Sequence, residues 1–116
     1  MKRDMELVRE LLFLAESDED DLELCEKYGT EKVAGHVAIL IDAGLVKGSA
    51  PEGQHGRPIA SQITRLTWVG HEFLDNARND TVWKNVMAKI KDFASTVSFE
   101  ILVEMLKTSV LASIQK

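Results

Sequence analysis

From residue 5 to residue 15 the apolar positions recur at intervals of three and four (Met5, Val8, Leu11, Leu12, Ala15), the spacing of one buried stripe on a helix. The pattern predicts a first helix over about residues 3–16, with Asp4, Glu6 and Glu10 toward the positive end of its dipole. Residues 17–21 are too polar to extend the stripe and read as a loop. Residues 21–29 carry two readings. Leu22 and Leu24 alternate with acids as in a short edge strand, yet residues 22–27 also suit a short helix with Tyr28 and Gly29 as the turn after it.

Thr30 is a candidate N-cap, its hydroxyl available to a first-turn N–H. The next helix runs to about residue 43 and buries Val33, Val37, Leu40 and Ile41. Gly44 ends it, because the left-handed position after a helix favours glycine. Residues 45–47 begin a strand, residues 48–58 (GSAPEGQHGRP) form a polar tip, and residues 59–67 return as the second strand. Thr67 marks the start of another helix, Asn79 and Asp80 the start of the next. That later helix is expected to reach about residue 95, with Val82, Trp83, Val86, Ile90, Phe93 and Ala94 on its apolar face. Ser98 caps a last helix over 99–114, whose apolar residues cover more than half its circumference.

The expected fold is therefore mainly α with a small β-hairpin. It reads as a winged helix-turn-helix-like domain over residues 1–79, followed by a two-helix extension over 80–116. So wide an apolar surface on the last helix predicts self-association, most simply a homodimer, through Trp83, Phe99, Leu102, Leu106 and Val110.

Composition narrows the function. A chain of 116 residues with 45% hydrophobic content suits one domain with a packed core. No run approaches the roughly 18 apolar residues of a membrane span. The start, MKRDMELVRELL, mixes acids into its apolar stretch unlike a signal peptide, so a cytoplasmic protein is expected. Cys25 is the only cysteine, which leaves no intrachain disulfide and no cysteine-rich zinc site. Its plainer role is that of a small buried hydrophobe or an idle thiol.

The net charge of −5 is unevenly spread. Residues 1–29 hold four Lys/Arg against ten Asp/Glu, residues 30–68 four against three, and residues 69–116 six of each. The acids from Glu16 to Glu26 repel phosphate over a Debye length of about 8–10 Å, the reverse of the usual footprint of a duplex binder.

Catalytic and cofactor chemistry find no foothold. His36, His55 and His71 are not spaced as a local metal pair, and GSAPEGQHGRP lacks both phosphate-loop spacings. No GxSxG stands in the chain, and the clustered acids read as a solvated tract. Neither an enzyme nor a cofactor is expected.

Nucleic-acid binding rests on the helix from Thr30 and on the hairpin. With Val33, Val37 and Leu40 inward, the outward face of that helix holds Glu31, Gly35, Ala38 and Asp42, flanked by Lys32, His36 and Ile39. That is a poor set for reading bases, which favours Arg, Lys, Asn or Gln. The hairpin adds Lys47, His55, Arg57 and Arg65, able to contact phosphate, with Lys2 and Arg3 as further charge. The candidate DNA contacts are thus Lys32, His36, Lys47, His55, Arg57 and Arg65. Trp68 and Trp83, both at helix starts, read as core or subunit-interface anchors, since no aromatic–basic interleaving surrounds them in sequence.

Three segments together, MKRDMELVRELL, HVAILIDAGLVKG and LTWVGHEFLDNARNDTVWKNV, give the chain a family resemblance. It resembles the phage- and prophage-associated family known as domain of unknown function 2513, over residues 1 to about 106. The resemblance implies a small winged-helix-like protein of mobile elements, with no activity and no site residues to carry over. Two functions follow as expectations: a winged-helix DNA-binding regulator acting as a dimer, or an interaction module that meets a host or phage protein without binding DNA.

Overall fold

Asp4 organises the first turn of the chain. Its carboxylate accepts hydrogen bonds from the amides of Glu6 and Leu7, capping helix α1 (Met5–Ser17), which buries Leu7, Val8, Leu11 and Leu12. Such a cap contributes about 1 kcal/mol. The helix ends at Asp18 in the left-handed region, where the amide of Glu19 reaches back to the Leu14 carbonyl. The computed structural model describes residues 2–92 and 98–114.

The ambiguous stretch is helix α2 (Leu22–Tyr28). Asp20 accepts the Leu22 amide, and Leu24 is buried with Cys25 and Tyr28 half-buried beside it, an i, i+1, i+4 stripe facing helix α3 (Thr30–Asp42). Leu22 stays outside. The strand reading fails because Leu22 and Leu24 do not share a face in the structure. Gly29 alone joins α2 to α3, at φ +92°, a conformation open to glycine and strained for any other residue.

The expectation that Thr30 caps α3 is corrected. Thr30 is already helical, Gly29 holds the cap position, and no side chain caps this end. The other end is as expected. Gly44 is left-handed, with its amide bonded to the Ile41 carbonyl and the Leu45 amide to Leu40, a Schellman closure.

Strands β1 (Val46–Ser49) and β2 (Gln62–Leu66) pair antiparallel, Val46 opposite Leu66 and Lys47 opposite Arg65. Both strands differ in extent from the sequence expectation. β1 continues through Ser49, and β2 begins at Gln62 rather than residue 59, leaving Ile59 exposed. Thr64 is an extra residue on β2, so the register shifts between Lys47 and Gly48. At Gly48 the Gln62 carbonyl occupies the place of a β-carbon. Beyond the strands the tip closes through a bridge between Glu52 and Pro58 and a 3-10 turn, Gln54–Gly56, with His55 left-handed at φ 69°.

Helices α4 (Trp68–Ala77), α5 (Asp80–Asp92) and α6 (Phe99–Ile114) complete the chain. The three sequence-read caps are in place. Thr67 accepts the Gly70 amide, Asn79 the Val82 amide and Ser98 the Ile101 amide. The expected continuation of α5 through Phe93 and Ala94 lies outside the described residues.

The contacts divide the chain into two compact units, Met1–Glu72 and Phe73–Lys116, the change falling inside α4. In the first, α1, α3 and the hairpin meet around Leu7, Leu11, Val33, Val37, Leu40, Leu45, Val46 and Leu66. In the second, α5 packs on α6 over Trp83, Val86, Leu102 and Leu106, and Phe73 stacks on Phe99 with ring centres 5.3 Å apart. The described residues are mainly helical with one two-stranded hairpin, and no helix among them is long and apolar enough to cross a membrane.

Candidate nucleic-acid interface

The six cations and histidines singled out in the sequence fall into two groups. Lys32 and His36 on α3 are structural. His36 is completely buried, its Nε2 accepting the backbone N–H of Asp4 at 2.8 Å and its Nδ1–H donating to the Lys32 carbonyl at 2.9 Å. This pair of partners requires the neutral ring with its proton on Nδ1. The expectation that His36 touches DNA is thereby corrected, because no ligand reaches the ring in the folded unit.

Lys32 lies 3.0 Å from Asp4 Oδ2 and 5.0 Å from the centre of the Tyr28 ring. Burial by itself raises the Asp4 carboxyl. The Lys32 ammonium and the Leu7 and Glu6 amides outweigh that and hold it below the usual carboxylate range. Asp4, Lys32 and His36 together fasten the start of α1 to α3. The signal was present in the sequence: His36 stands three after Val33 and four before Leu40, on the buried stripe itself.

The outward face of α3 is not free either. Gly35, expected outside, is buried, and an open cleft of about 440 Å³ is lined by Glu31, Lys32, Gly35, Arg57 and Pro58. Hairpin tip and helix therefore meet, with Arg57 3.9 Å from Glu31. Both of these side chains are largely exposed, so the pair contributes little.

Lys47, His55, Arg57 and Arg65 are all exposed on the hairpin. Lys47 and Arg65 stand directly opposite each other across the strands. Like charges in that position repel, and an anion between them relieves the repulsion. The Arg65 guanidinium turns toward the Leu66 carbonyl at 3.3 Å. His55 sits at the tip, apart from this pair.

Sequence reasoning placed Trp68 in the core or an interface. The structure leaves it 76% exposed, with Val69 beside it 52% exposed. Its indole N–H donates to the Glu72 carboxylate one turn on. Trp83 is the buried tryptophan, at 1%. Among the residues assigned to self-association, Trp83, Leu102 and Leu106 are consumed inside the second unit, whereas Phe99 and Val110 are half-buried. The large apolar side chains that α6 leaves exposed are Ile101, Leu111 and Ile114. No group of three or more His, Cys, Asp or Glu among the described residues is arranged to hold a metal ion.

The chain belongs to the family described as Hypothetical protein (DUF2513), which it matches over residues 2–97. It is 29% identical over 113 residues to an uncharacterised protein of Haemophilus influenzae, a match spanning 93% of this chain and 94% of that relative. No solved structure matches it.

Proposed function

We propose that the protein is a non-enzymatic winged-helix module that binds nucleic acid through its hairpin and serves as a DNA-binding accessory regulator. The observation that carries this is the Lys47–Arg65 pair, exposed and directly opposed across β1 and β2. The order helix, helix, helix, hairpin supports the winged-helix reading, with β1 and β2 as the wing. Residues 44–70 hold Lys47, Arg57 and Arg65 against Glu52 alone, so the hairpin is a basic stretch in an acidic chain.

With Lys32 and His36 turned to structural use, α3 has no cation free to read base edges. Binding through the hairpin is then a phosphate interaction, weakly dependent on sequence. A homodimer through Ile101, Leu111 and Ile114 would add two weak hairpin contacts into one useful affinity. Phage or prophage origin, implied by the family resemblance, belongs to the same proposal.

The test is titration of random duplex DNA at two salt concentrations, with the mass in solution measured by light scattering. Affinity falling steeply with salt is expected, and Lys47→Ala with Arg65→Ala should flatten the salt slope by about one unit per lost phosphate contact. No binding at low salt would overturn the reading. The interaction-module alternative rests on a different observation: Asp18, Glu19 and Asp20 are exposed in one loop. Under that reading, neutralising them abolishes capture of a basic protein partner and leaves folding intact.

A further inference from the structure

We propose that Trp68 is a stacking platform for the bases of a single-stranded nucleic acid, adjoining a phosphate grip made by Lys47 and Arg65. The proposal rests on the nucleic-acid reading above and sharpens it to strands whose bases are open. Three observations support it.

The indole is 76% exposed on a folded helix, although Trp83 shows that the chain can bury the same side chain completely. A lone apolar residue at the surface is ordinary. Here two consecutive apolar residues, Trp68 and Val69, are both exposed.

The ring is also held in place. Its N–H is bonded to Glu72 on the same helix, which fixes the edge of the indole and leaves its flat surface to a partner. An oriented aromatic binds at a smaller entropic cost than a freely rotating one.

Finally, the cations lie on strands that are tied to the start of the same helix. The Thr67 amide donates to the Leu45 carbonyl, and the Thr67 hydroxyl donates to that of Gly44. The start of α4 therefore lies two residues before Lys47 on β1, and Lys47 faces Arg65 on β2. The hairpin thus brings the strand pair that carries both cations to the helix that opens with Trp68.

A flat ring beside two cations matches the repeating unit of an unpaired strand, one base face and one phosphate per nucleotide. A duplex keeps all but its terminal base faces stacked inside and offers mainly phosphates and groove edges. The ring surface carries no donors or acceptors for base edges, so little sequence preference is expected.

The experiment uses tryptophan fluorescence of the full chain at low salt, with oligothymidylate and oligouridylate of about 16 nucleotides, a blunt duplex of equal length, and oligoglutamate. Both single strands should quench the exposed tryptophan, with any preference between them identifying DNA or RNA as the source. The blunt duplex should bind without quenching. Trp68→Ala should weaken strand binding by about 5- to 150-fold and duplex binding hardly at all, whereas Trp68→Phe should retain most of the affinity. Equal binding of strand and duplex, without quenching and without loss in Trp68→Ala, would overturn the stacking role and leave the phosphate reading standing. Failure of every nucleic acid to bind would remove both. Quenching by oligoglutamate as strong as by the strands would overturn the proposal in favour of an acidic peptide partner.

Discussion

Replacing His36 by alanine should destabilise the first unit by about 3–5 kcal/mol. The ring is fully enclosed, and its loss leaves a cavity in the layer between α1 and α3. By comparison with other large-to-small core changes, that part costs about 2–3 kcal/mol. The Asp4 amide then loses its acceptor in a half-buried position, which adds about 1–2 kcal/mol. His36→Gln can carry an acceptor to nearly the same place, so its cost should be about 1–2 kcal/mol, the remaining loss being shape. Urea unfolding followed by circular dichroism reads the difference as a shift of midpoint at constant slope. A His36→Ala variant within about 0.5 kcal/mol of the parent would refute the reasoning, that being the range of ordinary surface changes. Unchanged stability together with weakened DNA binding would restore the contact role inferred from sequence.

Acid should act through Asp4. Its carboxyl is lowered in the folded chain, so the unfolded chain takes up the proton first, near the ordinary value. The stabilisation is complete above that value and is lost as pH falls through the lower folded one. Unfolding midpoints of Asp4→Asn, which retains a capping oxygen, should fall less than those of the parent from about pH 5 to pH 2; parallel curves would refute the ion-pair role. Two glycines should separate collision from backbone strain. A β-carbon at Gly70 meets the Leu45 carbonyl, whereas one at Gly44 meets nothing and suffers only from φ +76°. Gly44→Ala should therefore cost about 1–2 kcal/mol and Gly70→Ala more in the same urea assay, and a reversed order would contradict the docking of α4 on Leu45.

The helical part of the fold was legible because periodicity and caps agree. Met5–Ser17 follows from its apolar stripe, and the three polar caps at Thr67, Asn79 and Ser98 each accept the amide three residues on. α2 was not legible, since seven residues with two leucines satisfy either periodicity and only the neighbouring α3 decides. The hairpin was read correctly as a hairpin, but not its register, because the extra Thr64 leaves no mark in an alternation only five residues long.

The candidate site shows a different limit. Polarity suggested that His36 and Lys32 face solvent, yet both are spent on Asp4, twenty-eight or more residues away in sequence. Conversely, aromatic character suggested burial for Trp68, whereas its side chain is 76% exposed. A single sequence states which residues are apolar or charged. It does not state which of them another element reaches first, and both errors arise from that.

The bond from the Thr67 hydroxyl to the Gly44 carbonyl joins two residues 23 apart in the chain. With the Thr67 amide on Leu45, it ties the end of α3 to the start of α4 at the neck of the hairpin. Everything between is an excursion whose entry and exit are fastened independently of its length. Lengthening such a loop twofold costs only about 0.6 kcal/mol of closure entropy. The tip around residues 50–60 is accordingly the natural place to accept inserted sequence, a label or a protease nick, while the helices on either side keep their alignment.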